Sequence, residues 1–204
     1  NELIANRAIE MLGGEKGDYT IVSPLNHVNR SQSTNDAVPT AARIGILMEL
    51  ENTTKALDKL AAAMESKAEE FKDVIKMGRT HLQDAVPITL GQEFGAWARA
   101  IRRDGERIRQ AAEALTVINL GGTAVGTALN ADMEYIRISC LELAKISGYP
   151  LTTAENLVDA TQNADVLAQL SSCIKVCAIN LCKIANDMRL LASGPMAGIG
   201  EIML

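Results

Sequence analysis

Residues 29–40 read NRSQSTNDAVPT, a dense set of short hydrogen-bonding side chains directly ahead of a long segment with helical periodicity. Such a set has two uses. The first is capping: Asn35 or Asp36 accepts from the first free N–H groups of the helix, and Pro39 sits in the first turn, where its missing N–H does little harm. The second is anion binding. A helix start offers free N–H groups and the positive end of the dipole, which suits a carboxylate or phosphate. Ser33 and Thr34 add hydroxyl donors and Asn35 adds an amide. The two uses are compatible.

A second cluster, GRTHLQDAVP over 78–87, lies between two long periodic segments and holds one of the chain's two His. Arg79, Thr80, His81, Gln83 and Asp84 are denser than a turn needs, and Thr80 and His81 are candidates to bind an anion or position a substrate. The plain alternative is a loop histidine without a special role. His27, ahead of the first cluster, is expected to tie its own segment down. GGTAVGTAL at 121–129 lacks the Lys-Ser/Thr of a phosphate loop and follows a helix, so that reading is rejected. Its glycines still let backbone N–H groups face a neighbouring site. Cys140, Cys173, Cys177 and Cys182 form no CxxC pair and, with two His, no tetrahedral set. They read as buried thiols of a reducing compartment, with no metal.

Long helices must position these clusters. Aromatic residues make up only 3% of the chain, so the core has to be built from Leu, Ile, Val, Ala and Met, a mix that favours helix. From Pro39 to Lys76 there is one glycine and no further proline. Leu50, Leu57, Met64 and Phe71 recur every seven residues, beside a second row of Leu47, Ala61, Ala68 and Ile75 broken at Thr54. A helix of about 38 residues is ~57 Å long and needs partners along its length. A second segment, 89–119, carries Phe94, Ile101, Ile108 and Leu115 with Leu90, Trp97, Ala111 and Ile118, interrupted by Asp104. A third, 164–191, carries Leu167, Ile174, Leu181 and Met188 with Leu170, Cys177, Ile184 and Leu191, unbroken. Shorter helices are expected at 2–12, 132–147 and 154–160, and no convincing strand. The expected fold is all-α: a long-helix bundle whose helices pack across subunits of a homo-oligomer.

The net charge of −5 argues against nucleic acid. The run RAIRRDGERIR at 99–109 surrounds an apolar stripe and reads as a solvated or intersubunit face. With no secretory signal and no apolar run near twenty residues, no membrane is expected, and the location is taken as cytoplasmic.

SQSTND (31–36), GRTHLQDAVPITLGQE (78–93), LGGTAVGTALN (120–130), LVDATQNAD (157–165) and KIANDMRLLASGPMAGIGEI (183–202) together resemble the aspartase/fumarase superfamily, in that family's order and over nearly the whole chain. Ser-Thr-Asn at 33–35, with DATQNAD and NDMRLLASGP, is closer to the branch that eliminates ammonia from L-aspartate. Fumarases usually carry Ser-Ser-Asn there. The resemblance implies a cofactor-free reaction giving fumarate through an enediolate. Ser33 and Thr34 match the positions that hold the β-carboxylate, and Asn35 the position near the amino group. Thr80 and His81 match a pair reaching in from another subunit of a tetramer. The family's base is a serine in a Gly-Ser-Ser loop, which would begin beyond Leu204, so no catalytic base is expected within 1–204. Residues 1–204 correspond to the family's central helical domain, with the amino-terminal domain and the carboxy-terminal domain bearing the loop absent. The 204-residue chain alone is expected to be inactive. The alternatives are a fumarate hydratase and a non-catalytic helical oligomerisation module.

Overall fold

The computed structural model describes residues 1–203; Leu204 lies outside them. In chain order the elements are α1 (Glu2–Met11), α2 (Thr34–Glu70), β1 (Ile75–Thr80), β2 (Gln83–Thr89), α3 (Leu90–Glu113), β3 (Val117–Ile118), α4 (Met133–Ser147), β4 (Thr152–Thr153), α5 (Leu157–Gln162) and α6 (Asp165–Leu191). Helices dominate, as expected of an all-α bundle. Contacts gather into two compact units. One holds residues 1–47 and 115–164, the other 48–114 and the residues from Asp165 on.

In the first unit, α1 buries Ala5 and Ile9, α4 buries Ile136 and Cys140, and Leu115, Ile118 and Leu151 complete the apolar core. The Asp132 side chain caps α4 by accepting from Glu134 N at 2.8 Å. Gly148 ends it in the left-handed conformation, its N–H donating to the Ala144 carbonyl at 2.9 Å. β3 and β4 form a short parallel pair. The second periodic segment was expected to stay helical to Asn119. It leaves the helix after Glu113, passes through a tight turn at Ala114–Thr116 and enters β3. The β-branched run Thr116-Val117-Ile118 favours that extended exit. The short helix expected at 154–160 starts later, at Leu157, because Asn156 caps it through Val158 N and Asp159 N.

α2 buries one stripe spaced by four and three residues in turn through Asp36, Thr40, Arg43, Leu47 and Leu50, which skips half-buried Thr54 and resumes at Leu57 and Ala61. The amino end of this stripe is polar, and the apolar pattern therefore starts a full turn or more after the helix does. The helix was expected after Pro39 and as far as Lys76. It starts at Thr34 and stops at Glu70, so Pro39 lies inside it rather than in its first turn. Ile75, placed by periodicity on a buried row, is strand and 77% exposed.

In the second unit the largest correction concerns residues 75–89. The stretch read as a loop is an antiparallel hairpin, β1 against β2, with Thr80 paired to Gln83. Its pattern inverts the usual rule. Ile75, Leu82 and Val86 are exposed, whereas the Lys76 side chain is only 8% exposed and is held by Glu93 and Glu201.

α3 buries Leu90, Phe94, Trp97, Ile101, Ile108 and Ala111, and packs along α6 through Leu170, Cys177, Ile184 and Leu191. These rows are filled within one chain. Asp104, which interrupts the α3 row, is fully buried and accepts from Asn180 Nδ2 at 2.8 Å and Arg107 at 2.5 Å, so the break is a polar link between α3 and α6. Burial beside Asp104 pushes the Cys177 thiol up. The other α6 row stays open: Ile174 is 42% exposed, and Leu167, Leu181 and Met188 are half-buried. By length and composition alone α6 is apolar enough to cross a membrane, although no such run was expected; Lys175 sits near its middle. The basic run on α3 is neither free nor merely solvated. Arg102 makes two bonds to Glu65, at 2.9 and 2.8 Å, and one to Asp58, and Arg109 also bonds Asp58. The pairing with Glu65 raises the Arg102 pKa and lowers that of Glu65.

Candidate functional site

Ser33 caps α2. Its carbonyl accepts from Ala37 N at 3.0 Å, and its Oγ accepts from Asn35 N at 3.2 Å. Asp36 reciprocates, its Oδ1 accepting from Ser33 N at 2.8 Å. The hydroxyl thus caps the second residue of the helix, and the Asp36 carboxylate supplies the reciprocal bond to the cap's own N–H. The expectation that Asn35 or Asp36 accepts from the first free N–H groups is therefore corrected: the acceptor is Ser33. Asp36 is 0% exposed and serves a different purpose. Its Oδ2 accepts from Gly121 N at 3.1 Å and Thr123 N at 2.9 Å. Three backbone donors satisfy a buried carboxylate that would otherwise be costly, and they lash the glycine loop to the helix start. The loop's N–H groups at 121 and 123 thus face an internal anion.

Pro39 removes one helical hydrogen bond, because the Asn35 carbonyl finds no N–H four residues on. The vacancy is filled from the side. Asn119, 0% exposed, donates from Nδ2 to the Asn35 carbonyl at 3.0 Å and to Thr161 Oγ1 at 3.1 Å. Asn35 donates from its own Nδ2 to the Ala124 carbonyl at 2.7 Å. That bond fixes the orientation of the amide and leaves Oδ1 as its free acceptor. Sequence reasoning missed Asp36 and Asn119 as site-building residues. The Pro four residues after Asn35 was the available signal, since it announces a carbonyl in need of a donor.

Thr34 and Asn35 are exposed and line a cleft of about 690 Å³ in the first unit. Val38, Pro39, Ala124 and Val125 supply apolar walls, and Thr161 and Gln162 polar ones. Ser33, half-buried, stands at the cap just outside the lining. The structure thus brings Ser33, Thr34 and Asn35 together at one helix start. His27 Nδ1 accepts from Ser23 N at 3.1 Å, holding the preceding turn as expected.

Thr80 and His81 belong to the second unit, at the exposed tip of the hairpin. His81 and Leu82 form its two-residue turn with φ of 50° and 60°. Both central residues are left-handed, a turn usually given to Asn-Gly. The hairpin's base is fixed by charge. Lys76 Nζ lies 2.6 Å from Glu93 and 2.7 Å from Glu201, and Arg79 lies 2.8 Å from Glu201. Burial works against the charge on Lys76, but its bonds to Glu201 and Glu93 prevail and raise its pKa. Burial likewise works against the charge on Glu201, and the bonds from Arg79 and Lys76 prevail, lowering its pKa. A group with a lowered pKa stabilises the fold above its ordinary value, near 4.5, and loses that contribution as the pH falls through the lowered one. Lys76 loses its contribution only as the pH rises past its ordinary 10.5. Glu201→Gln is therefore expected to lower the melting temperature by roughly 3–8 °C at neutral pH. The gap should narrow as the pH falls below 4.5 and close once the pH is below the lowered value, and thermal unfolding followed from pH 3 to 8 checks it.

Among the described residues no group of His, Cys, Asp and Glu is placed to hold a metal.

A family model described as Lyase matches residues 1–204. Aspartate ammonia-lyases from a Bacillus species, from Bacillus subtilis and from Escherichia coli K12 are 59%, 56% and 45% identical over the whole chain. The chain spans 44%, 43% and 43% of their lengths. Among solved structures, a fumarate lyase:delta crystallin from Brucella melitensis bound to cobalt superposes with a TM-score of 0.95 at 48% identity, over 97% of this chain and 43% of that one. A class II fumarase from Schistosoma mansoni superposes with a TM-score of 0.89 at 33% identity, over 96% and 44%.

Proposed function

The chain belongs to the Lyase family, and from that premise we propose that it forms the substrate-binding core of an aspartate ammonia-lyase, which converts L-aspartate to fumarate and ammonium. One observation carries this reading: Thr34 and Asn35 stand exposed at the amino end of a 37-residue helix, on the wall of a cleft, with Ser33 as the cap beside them.

In the proposed reaction a base takes the proton from Cβ, and the electron pair it leaves moves into the β-carboxylate as an enediolate. That pair then forms the new double bond as the Cα–N bond breaks and ammonium departs. Negative charge grows on the β-carboxylate, so the useful groups are neutral donors fixed in advance. Ser33 and Thr34 supply hydroxyls there, and the helix dipole adds to them. Asn35 serves the amino end, because the bond from its Nδ2 to Ala124 holds the amide in place and its Oδ1 is left to accept from an ammonium. Thr80 and His81, on an exposed tip, reach the α-carboxylate and amino end of a site in another copy of the chain. The base is assigned to a serine outside residues 1–204, and no cofactor takes part.

A homotetramer goes with this reading, supported by the open Ile174 row on α6 and the exposed hairpin. So do a cytoplasmic location, supported by four unpaired thiols, and a place in amino-acid metabolism. The test is a fumarate-release assay on the intact enzyme with L-aspartate and with L-malate. Turnover of L-aspartate alone is expected. Turnover of L-malate alone would favour the hydratase, and turnover of neither the oligomerisation module.

A further inference from the structure

We propose that Asn119 is a positioning residue for recognition of the substrate's amino group, acting through Asn35; the assignment rests on the aspartate ammonia-lyase reading. Pro39 creates the need for this residue. A proline inside α2 deprives the Asn35 carbonyl of its helical donor, at the residue whose side chain is given the amino group. A partly buried carbonyl left unpaired is costly. Asn119 supplies the missing donor at 3.0 Å. With the second hydrogen of the same amide it holds Thr161, a wall of the same cleft, at 3.1 Å.

Two further observations separate this residue from an ordinary core asparagine. Its Oδ1 is buried without a hydrogen-bond partner among the described residues, so the donor side of the amide is the side the site uses. The loop that begins at Asn119 also provides the Ala124 carbonyl that takes the Asn35 Nδ2 at 2.7 Å. The Asn35 main chain and side chain are thus both held by the segment 119–124. Together the two bonds set the height of the first helical turn and the rotation of the amide. Losing Asn119 frees the Asn35 carbonyl and lets that turn shift. The error falls on the contact to the amino group, while Ser33 keeps its cap bond and its link to Asp36.

The prediction is a split between ligands with and without an amine. In the intact enzyme, Asn119→Ala is expected to lower kcat/KM for L-aspartate about 100-fold. The inhibition constant of succinate, a dicarboxylate with no amino group, should move less than about threefold, because its contacts are to the hydroxyls. Pro39→Ala restores a main-chain donor to the Asn35 carbonyl, so in that background Asn119→Ala should cost only about 10-fold. Asn119→Ser gives the same comparison should the alanine variant fail to fold.

Equal weakening of succinate and L-aspartate, or equal cost in both backgrounds, would overturn the assignment while leaving the enzyme's identity intact. A wild-type enzyme that does not turn over L-aspartate would overturn the functional reading and this assignment with it.

Discussion

The intact enzyme carrying Ser33→Ala and Thr34→Ala together is expected to lose about 10⁴-fold or more in kcat for L-aspartate, because each donor removed from a developing oxyanion costs about 10²–10³. Both hydroxyls are available for that task. Ser33 Oγ accepts the cap bond from Asn35 N and keeps its own hydrogen to donate. Thr34 is exposed on the cleft wall. The same substitutions have a small structural cost: losing the Ser33 cap removes about 1 kcal/mol, a few degrees of melting temperature. Activity and stability therefore separate. Thr34→Ser, which keeps the hydroxyl, should retain activity within about tenfold of wild type. Steady-state assays beside thermal melts check the set. Thr34→Ala with nearly wild-type kcat would mean that this hydroxyl does not face the charge that grows.

Gly126→Ala is expected to destabilise the first unit by about 4 kcal/mol, the largest structural effect foreseen for a single methyl group. A Cβ built at Gly126 lies 2.4 Å from the Leu157 carbonyl oxygen and 2.4 Å from Val158 Cα, both backbone, at φ +88°. Backbone cannot swing aside as a side-chain tip does, so overpacking of ~1–3 kcal/mol adds to a left-handed penalty of ~1–2. The effect would also reach the site, since Ala124, Val125 and Val158 wall the cleft. Gly148 is the control. It has a similar φ of +77°, but no atom lies within 4 Å of its Cβ. Gly148→Ala should cost only the left-handed term, ~1–2 kcal/mol. Denaturant unfolding of the two variants measures the difference, and equal losses would show that φ alone matters there.

Where side-chain periodicity and burial agree, the sequence and the structure coincide. α6 was expected over 164–191 and is observed over 165–191. Each apolar member of the α3 rows is buried, including Leu115 and Ile118 beyond the helix end. Periodicity fails where the buried partners are polar. Lys76 turns inward to two carboxylates while Ile75 and Met77 turn out, so in β1 the alternation that marks a strand is present but carries the opposite sign. The start of α2 fails for a related reason. Asp36, Thr40 and Arg43 continue the buried stripe without apolar character, and Pro39 looks like a first-turn residue until Asn119 is seen supplying its missing donor. Ser33, Thr34 and Asn35 stand out in the sequence by their types and their place ahead of a helix. Asp36 and Asn119, which position them, do not, because their partners lie about eighty positions away in the chain.

The central claim is that neutral donors at the amino end of α2 hold a dicarboxylate. A crystal structure of the intact enzyme soaked with succinate tests it most directly. One carboxylate should lie within about 2.7–3.2 Å of Ser33 Oγ and Thr34 Oγ1, with His81 of a neighbouring copy closing the site. Succinate bound elsewhere, with both hydroxyls touching only water, would contradict it.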